Sequence, residues 1–393
     1  MKFFDSSKGK SIWLSLLPLF IALYLLFSMV SISLSQIFLT LSLIFWVIML
    51  IREKQKFIFP SFFWPLLVYI ALSLISSFLS VNPEMSLKDS RELLLFLIVP
   101  IIYTGFLEEK ILLKANLVLL ASAYLSCLYS LFIFFFKSPP SGRISGFMGN
   151  PMTQAGLLLL FSCMALSFFI LYRERIRYLW GLGFLLSLVA LILTQTRSAW
   201  LGLIIGAAII LFLYKPKSLI IVPFAVGLLY LVSPQPIKRR ALSTFSLKGY
   251  NKLRIEYMKA GIKIIGDFPL FGTGPDTVDM VFQDPKYGLS EEAKNNVHLH
   301  NNIIQIGAER GIPTLLAWLV FMVWLFISLF RLLKNKDPTL YTLSVAALAA
   351  LFALFTAGLF EYNFADSEIT ALFLYLITIP FSLARIQGKG VNA

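Results

Sequence analysis

An all-α protein threaded repeatedly through a lipid bilayer is the fold this chain predicts. Three observations carry the prediction. The 393 residues are 58% hydrophobic and only 14% charged, where a soluble domain is about a quarter charged. The apolar residues fall in long runs that approach the ~20 residues a helix needs to cross a bilayer. The basic residues gather at the junctions between those runs, more heavily at every second junction, as the positive-inside rule requires. A net charge of +14 would suggest nucleic acid in a soluble protein. Here it belongs to membrane edges, and the expected partners are membrane lipids with no nucleic acid.

Apolar runs begin near Ile12, Ile37, Phe57, Leu93, Leu112, Thr153, Tyr178, Ser198, Ser218, Pro313, Leu340 and Ile369. They predict about twelve transmembrane helices, with Leu93–Phe106 the shortest. The first run comes after Lys2, Lys8 and Lys10. It is longer than a signal-peptide core and no small-residue cleavage pattern succeeds it, so it reads as a retained helix. Alternate junctions carry Arg52/Lys54/Lys56, Lys110/Lys114, Arg173/Arg175/Arg177, Lys215/Lys217, Arg331/Lys334/Lys336 and Arg385/Lys389. The short junctions between them hold only Lys88, Arg91, Lys137, Arg143 and Arg197. Both termini are therefore expected in the cytoplasm. Cys127 and Cys163 fall inside apolar runs and read as small packing residues. Gly202 and Gly206, four apart, predict a close helix contact. The runs hold essentially no ionisable residues and no visible internal repeat, which weighs against an ion-coupled transporter.

The chain divides into helices 1–9 over residues 1–232, a long outward loop over 233–312, and helices 10–12 over 313–393. A connection of that length is functional or disordered, and this one has structure. Ile255, Met258, Ile262 and Ile265 recur at helical spacing. Its first half is basic, including Lys238, Arg239, Arg240, Lys248, Lys252 and Arg254, and its second half is acidic. The basic half suits lipid phosphates or a phosphorylated substrate.

The only two histidines, His298 and His300, lie in this loop. His300 precedes Asn301 and Asn302, good helix N-caps, and Gly311 and Pro313 suit the end of one helix and the opening of the next. A short helix is thus predicted over Asn302–Arg310. Its positive N-terminus favours an anion beside His300 and an imidazole able to accept a proton. Three roles are open for the pair: ligands of a metal shared with Asp276, Asp279 or Asp284; interfacial structure; or a general base, with His300 preferred because it abuts the cap and His298 lining or orienting the site. Arg197 stands alone in the tight junction Thr194–Trp200. It reads as a snorkelling arginine or as a guanidinium placed to grip a phosphate. Arg254 lies on the predicted loop helix. The Gly272-Thr273-Gly274-Pro275 turn beyond it permits close backbone approach and could offer amides to an anion.

These segments resemble the O-antigen ligase family, part of a group that includes O-antigen polymerases and protein O-oligosaccharyltransferases. The family's histidine motif is His, then Asn, Ser or Gln, nine residues, Gly, two residues, and Gly, Thr or Tyr. His300, Asn301, Gly311 and Thr314 satisfy it. Thr194–Trp200 resembles the family's arginine junction, with Thr196 where Ser is usual. Arg254 and the run Pro269–Gly274 resemble its loop arginine and the glycine turn after it. Gly358–Asn363 is also similar, without an assigned role. The resemblance implies a bacterial inner-membrane enzyme with its site facing the periplasm. It would transfer a glycan from undecaprenyl diphosphate to a sugar of the lipid A core, with no metal or other cofactor. His300 would be the base and Arg197 and Arg254 the pyrophosphate ligands, with His298, Asn301, Arg143, Gly272 and Gly274 in support. Polymerase and protein-glycosylating activities are the near alternatives, and a lipid-linked glycan transporter the distant one.

Overall fold

The computed structural model describes residues 12–137, 142–246 and 249–389. Lys2, Lys8, Lys10 and Lys248, whose charges bear on topology and on the loop, lie outside the described residues. No strand occurs among the described residues. The chain folds as α1 (Ile12–Phe27), α2 (Ile32–Arg52), α3 (Phe63–Phe78), α4 (Pro83–Asp89), α5 (Ile98–Gly105), α6 (Glu109–Phe132), α7 (Pro151–Leu171), α8 (Arg177–Leu193) and α9 (Arg197–Tyr214). Then come α10 (Ile221–Val232), α11 (Gln235–Leu242), α12 (Tyr250–Asp267), α13 (Val278–Val281), α14 (Glu291–Lys294), α15 (Asn302–Leu332), α16 (Pro338–Gly358) and α17 (Ser367–Ile386).

Helical segments lie over the predicted apolar runs, and among the described residues seven helices are long and apolar enough to cross a membrane: α2, α6 with its continuation to Lys137, α7, α9, α15, α16 and α17. Leu93–Phe106 is not one helix. It is split between a 3-10 segment, Ser90–Leu97, and the buried α5. Local chemistry sets the helix starts. Asn150 accepts from the Met152 amide ahead of Pro151, Asp337 from Leu340 ahead of Pro338, and Asp366 from Ile369. Each cap satisfies a backbone donor that has no helical partner.

α7, α16 and α17 are buried along most of their length and form the centre of the bundle. α9 lies against α16 through Gly202 and Gly206. A Cβ on Gly202 would come within 2.6 Å of the Ala353 carbonyl oxygen of α16, and one on Gly206 within 3.3 Å of Ala353 Cβ and 2.7 Å of Cys163 Sγ on α7. The missing side chains let the two backbones approach, as the four-residue spacing predicts. Cys127 and Cys163 are free and buried.

The connection between α10 and α15 has its own small core, built from Leu253, Tyr257, Ile264, Phe282, Leu299 and Ile304 among others. The predicted loop helix is α12, but its packing face differs from expectation. Ile255, Met258 and Ile262 are 39%, 41% and 61% exposed, while Leu253, Tyr257, Ala260, Gly261 and Ile264 are buried. The apolar period predicts the helix, and shape decides which face packs. Gly261 leaves room for Ile304 of α15, which a Cβ would strike.

The helix predicted from Asn302 ends at Gly311, whose φ of 78° and ψ of 169° interrupt α15, and Pro313 sits in the first turn of the long segment beyond the break. Only glycine adopts such a conformation readily. The break lets the Ile312 amide donate to the Pro269 carbonyl at 2.8 Å, which ties the loop to the bundle.

Candidate functional site

The Asn301 side chain accepts from the Ile304 amide at 3.0 Å and donates to the Leu359 carbonyl at 2.9 Å. It therefore caps α15 and ties it to the α16–α17 linker. Asn302 donates to Asn363 Oδ1 at 2.8 Å, reinforcing the same junction. His300, one residue before the cap, takes a left-handed φ of 52°. That turn aims its ring at the linker, where Nδ1 lies 2.8 Å from Glu361 Oε1. Glu361 Oε2 lies 3.6 Å from Arg254 Nη2 on α12. A carboxylate only accepts, so the His300 proton sits on Nδ1 and leaves Nε2 as an acceptor. Nε2 meets Asn296 Nδ2 at 2.6 Å. The Tyr257 ring lies against the imidazole with centroids 5.7 Å apart.

His300 opens onto a cavity of about 1240 Å³ that Arg143, Arg197, Arg240 and Arg254 also line. Arg197 opens α9. It donates from Nη1 to Ser243 Oγ at 3.1 Å and from Nη2 to Asn251 Oδ1 at 2.8 Å, so the α8–α9 junction is fastened to α12 one turn before Arg254. Arg143 donates to the Thr194 carbonyl and to Thr196 Oγ1, and Arg240 to the Gln195 carbonyl. All three thus converge on the junction singled out in the sequence. Burial, opposed by Glu361 and aided by Arg240, lowers the affinity of Arg254 for its proton; burial and Arg240 do the same to Arg143. Guanidinium groups gathered this closely remain cations, and their mutual repulsion is relieved by an anion of matching size.

The same cavity has acids as well: Asp89, Glu92, Asp276, Glu309 and Asp366. Burial pushes the Asp366 carboxyl up to about 7 even though Thr153 donates to it. Glu309 and Arg310 are 2% and 6% exposed and pair at 2.8 Å. Arg310 also reaches Asp89 at 3.5 Å and Tyr362 at 3.1 Å. Taking two charges out of water is costly; on the acid side the cost is offset by Gln305 and the Asp276 amide, which donate to Glu309. His298 lies beside this network, edge-on to Tyr362, and burial followed by the nearby His300 lowers its proton affinity.

The structure thus brings His300, His298, Arg143, Arg197 and Arg254 to one cavity. Asn301 acts through the cap. Gly272 and Gly274 do not line the cavity, and their turn has no amides to spare for an anion. Gly272, Thr273 and Gly274 donate to the Phe268, Ala308 and Glu309 carbonyls. The two glycines are needed for backbone approach instead: a Cβ would collide with the Glu309 backbone at Gly272 and with Ser80 at Gly274. Three contributors are not singled out by the sequence as site residues. Arg240 is one of many loop cations, Asn296 one of several polar loop residues, and Glu361 lies in the Gly358–Asn363 linker without a role. The available signal for Glu361 is an acid in a short polar link between two apolar runs, a link it shares with Asp366.

Among the described residues, no three His, Cys, Asp or Glu side chains come together in a way that could hold a metal ion. Asp276, Asp279 and Asp284 do not join the histidines as ligands. No curated protein matches the chain. Residues 182–319, which include Arg197, Arg240, Arg254, Asn296, His298 and His300, match the family model described as O-antigen ligase.

Proposed function

We propose that the protein is a glycan ligase that transfers an O-antigen polysaccharide from undecaprenyl diphosphate to a sugar hydroxyl of the lipid A core. The observation that carries this reading is the convergence of His300, backed by Glu361, with four guanidinium groups on one cavity. The donor's diphosphate is already a good leaving group, so no strong acid is required. Arg197 and Arg254 hold it and absorb the charge it gains as the glycosidic bond breaks, with Arg143 and Arg240 beside them. The acceptor hydroxyl is the poor partner. His300 Nε2 takes its proton as the oxygen attacks the anomeric carbon, and Glu361 steadies the imidazolium that forms. Attack opposite the leaving group inverts the anomeric centre. The transfer runs without a metal.

In this reading the chain crosses the bacterial inner membrane about twelve times, with both termini in the cytoplasm and the loop over residues 233–312 in the periplasm. The anomeric carbon of a lipid-linked glycan lies at the bilayer surface, and the cavity is built where helix ends of the bundle meet that loop.

Reconstitution in liposomes with a labelled undecaprenyl-diphosphate glycan and purified lipid A core tests the proposal. Glycan attached to core, with inverted linkage and unchanged in chelator, is the expected result. Elongation of the lipid-linked glycan alone would make the protein a polymerase. Transfer to a Ser/Thr-bearing protein would make it a protein glycosylase. Movement of lipid-linked glycan across the bilayer without bond formation, unaffected by His300→Ala, would make it a transporter.

A further inference from the structure

We infer that Asn296 stands in the place of the acceptor hydroxyl and keeps water off the base until an acceptor arrives. The inference rests on the ligase reading and deepens it. His300 Nδ1 is committed to Glu361, so Nε2 is the atom that must receive the hydroxyl proton. That atom is already covered. Asn296 Nδ2 lies 2.6 Å from it and also donates to the His298 carbonyl at 3.0 Å. A carbonyl oxygen accepts only from a donor, so the second contact fixes which end of the amide is nitrogen. Both amide hydrogens are then used, one to hold the side chain in its own loop and one to cover Nε2. Asn296 is only partly buried and lies just past the short helix α14, with its backbone amide donating to the Ala293 carbonyl. It lines the cavity together with Asn295 and Val297.

The consequence is a choice between nucleophiles. The lipid-linked donor can lose its glycan to a sugar hydroxyl or to water. In either case an O–H proton goes to Nε2, oxygen bonds the anomeric carbon, and the diphosphate leaves with the bonding electron pair. An acceptor lipid is held by many contacts, and part of that binding displaces the amide. A single water has no such contacts and does not. Asn296 thus touches the base at Nε2 and sets acceptor over water, without contacting the anomeric carbon or the diphosphate.

The test uses full-length protein in liposomes with labelled undecaprenyl-diphosphate glycan, and measures free reducing glycan without acceptor and transfer with it. Asn296→Ala is expected to raise the ratio of hydrolysis to transfer by about fivefold, the scale of one lost hydrogen bond. Asn296→Asp places an acceptor against Nε2, favours a proton there, and is expected to depress both reactions. A ratio in Asn296→Ala equal to that of the natural chain would overturn the inference and leave the ligase reading standing. Absence of any transfer in the natural chain would remove the ligase reading itself. A second measurement needs no turnover. The chain has two histidines, so nitrogen-15 spectra of histidine-labelled protein resolve His300 Nε2. Asn296→Ala should shift that signal, and an unmoved signal would overturn the contact.

Discussion

Glu361 touches two proposed working residues at once: its Oε1 lies 2.8 Å from His300 Nδ1 and its Oε2 3.6 Å from Arg254 Nη2. One carboxylate therefore fixes the tautomer of the proposed base and sets its distance from a proposed phosphate-holding cation. Glu361→Gln keeps an oxygen for Nδ1 and loses the charge that steadies the imidazolium. Turnover should fall by roughly tenfold or more, and His300→Ala should cost the full ~10²–10⁴-fold of a positioned base. Single-turnover rates of the two variants and of Glu361→Gln/His300→Ala together check the ordering. Once the base is gone, the glutamate should have little left to contribute.

Arg197→Lys retains the positive charge and removes the planar fork that now donates to Ser243 and Asn251 from two nitrogens. A charge-assisted hydrogen bond contributes about 1.5–3 kcal/mol, so kcat/KM for the lipid-linked donor should drop by roughly 10–100-fold. Steady-state kinetics against donor concentration measure it. Unchanged kinetics would mean that Arg197 supplies only charge at the membrane edge.

Gly272→Ala should be a folding defect. Gly272 has φ of 69°, and a Cβ there would collide with the backbone of Glu309. Alanine is strained at positive φ even without a neighbour, so a loss exceeding ~1 kcal/mol is expected. Thermal unfolding in detergent should show a lower midpoint.

His298 gives a pH dependence with a definite sign. Burial, then the nearby His300, lowers its proton affinity below the ordinary value of 6.5. The folded state thus resists a proton that the unfolded chain accepts. The stabilisation is complete above 6.5 and is lost as pH falls through the lower folded-state value. Lowering the pH from about 8 to about 5 should therefore depress the thermal midpoint more for the natural chain than for His298→Gln. Carboxyl titrations are common to both proteins, so the difference between them isolates the histidine. Equal depression would show that His298 titrates as it does in water.

The helices are legible in the sequence because membrane helices must satisfy their backbones internally and face apolar surroundings, so run length alone outlines them. The break at Gly311 is legible because glycine and proline stand at the right spacing. The phase of α12 is not, since its packing face relies on Tyr257 and the room left by Gly261, and an apolar count gives neither. His300 stands out as a rare residue type, and Arg197 as a lone cation in a tight junction between apolar runs. Arg240 and Asn296 are common types in a polar loop, and only their contacts with Gln195 and His300 distinguish them. Glu361 is 61 residues from His300, and nothing local in the sequence announces that meeting.

The most direct measurement is an electron cryomicroscopy map of the protein in nanodiscs with undecaprenyl-diphosphate glycan bound and His300 replaced by Gln to slow transfer. Two phosphates are expected within hydrogen-bond reach of Arg197 and Arg254, with the first sugar facing residue 300. Phosphates seated away from both arginines, or a sugar directed away from residue 300, would contradict the proposed roles of these residues.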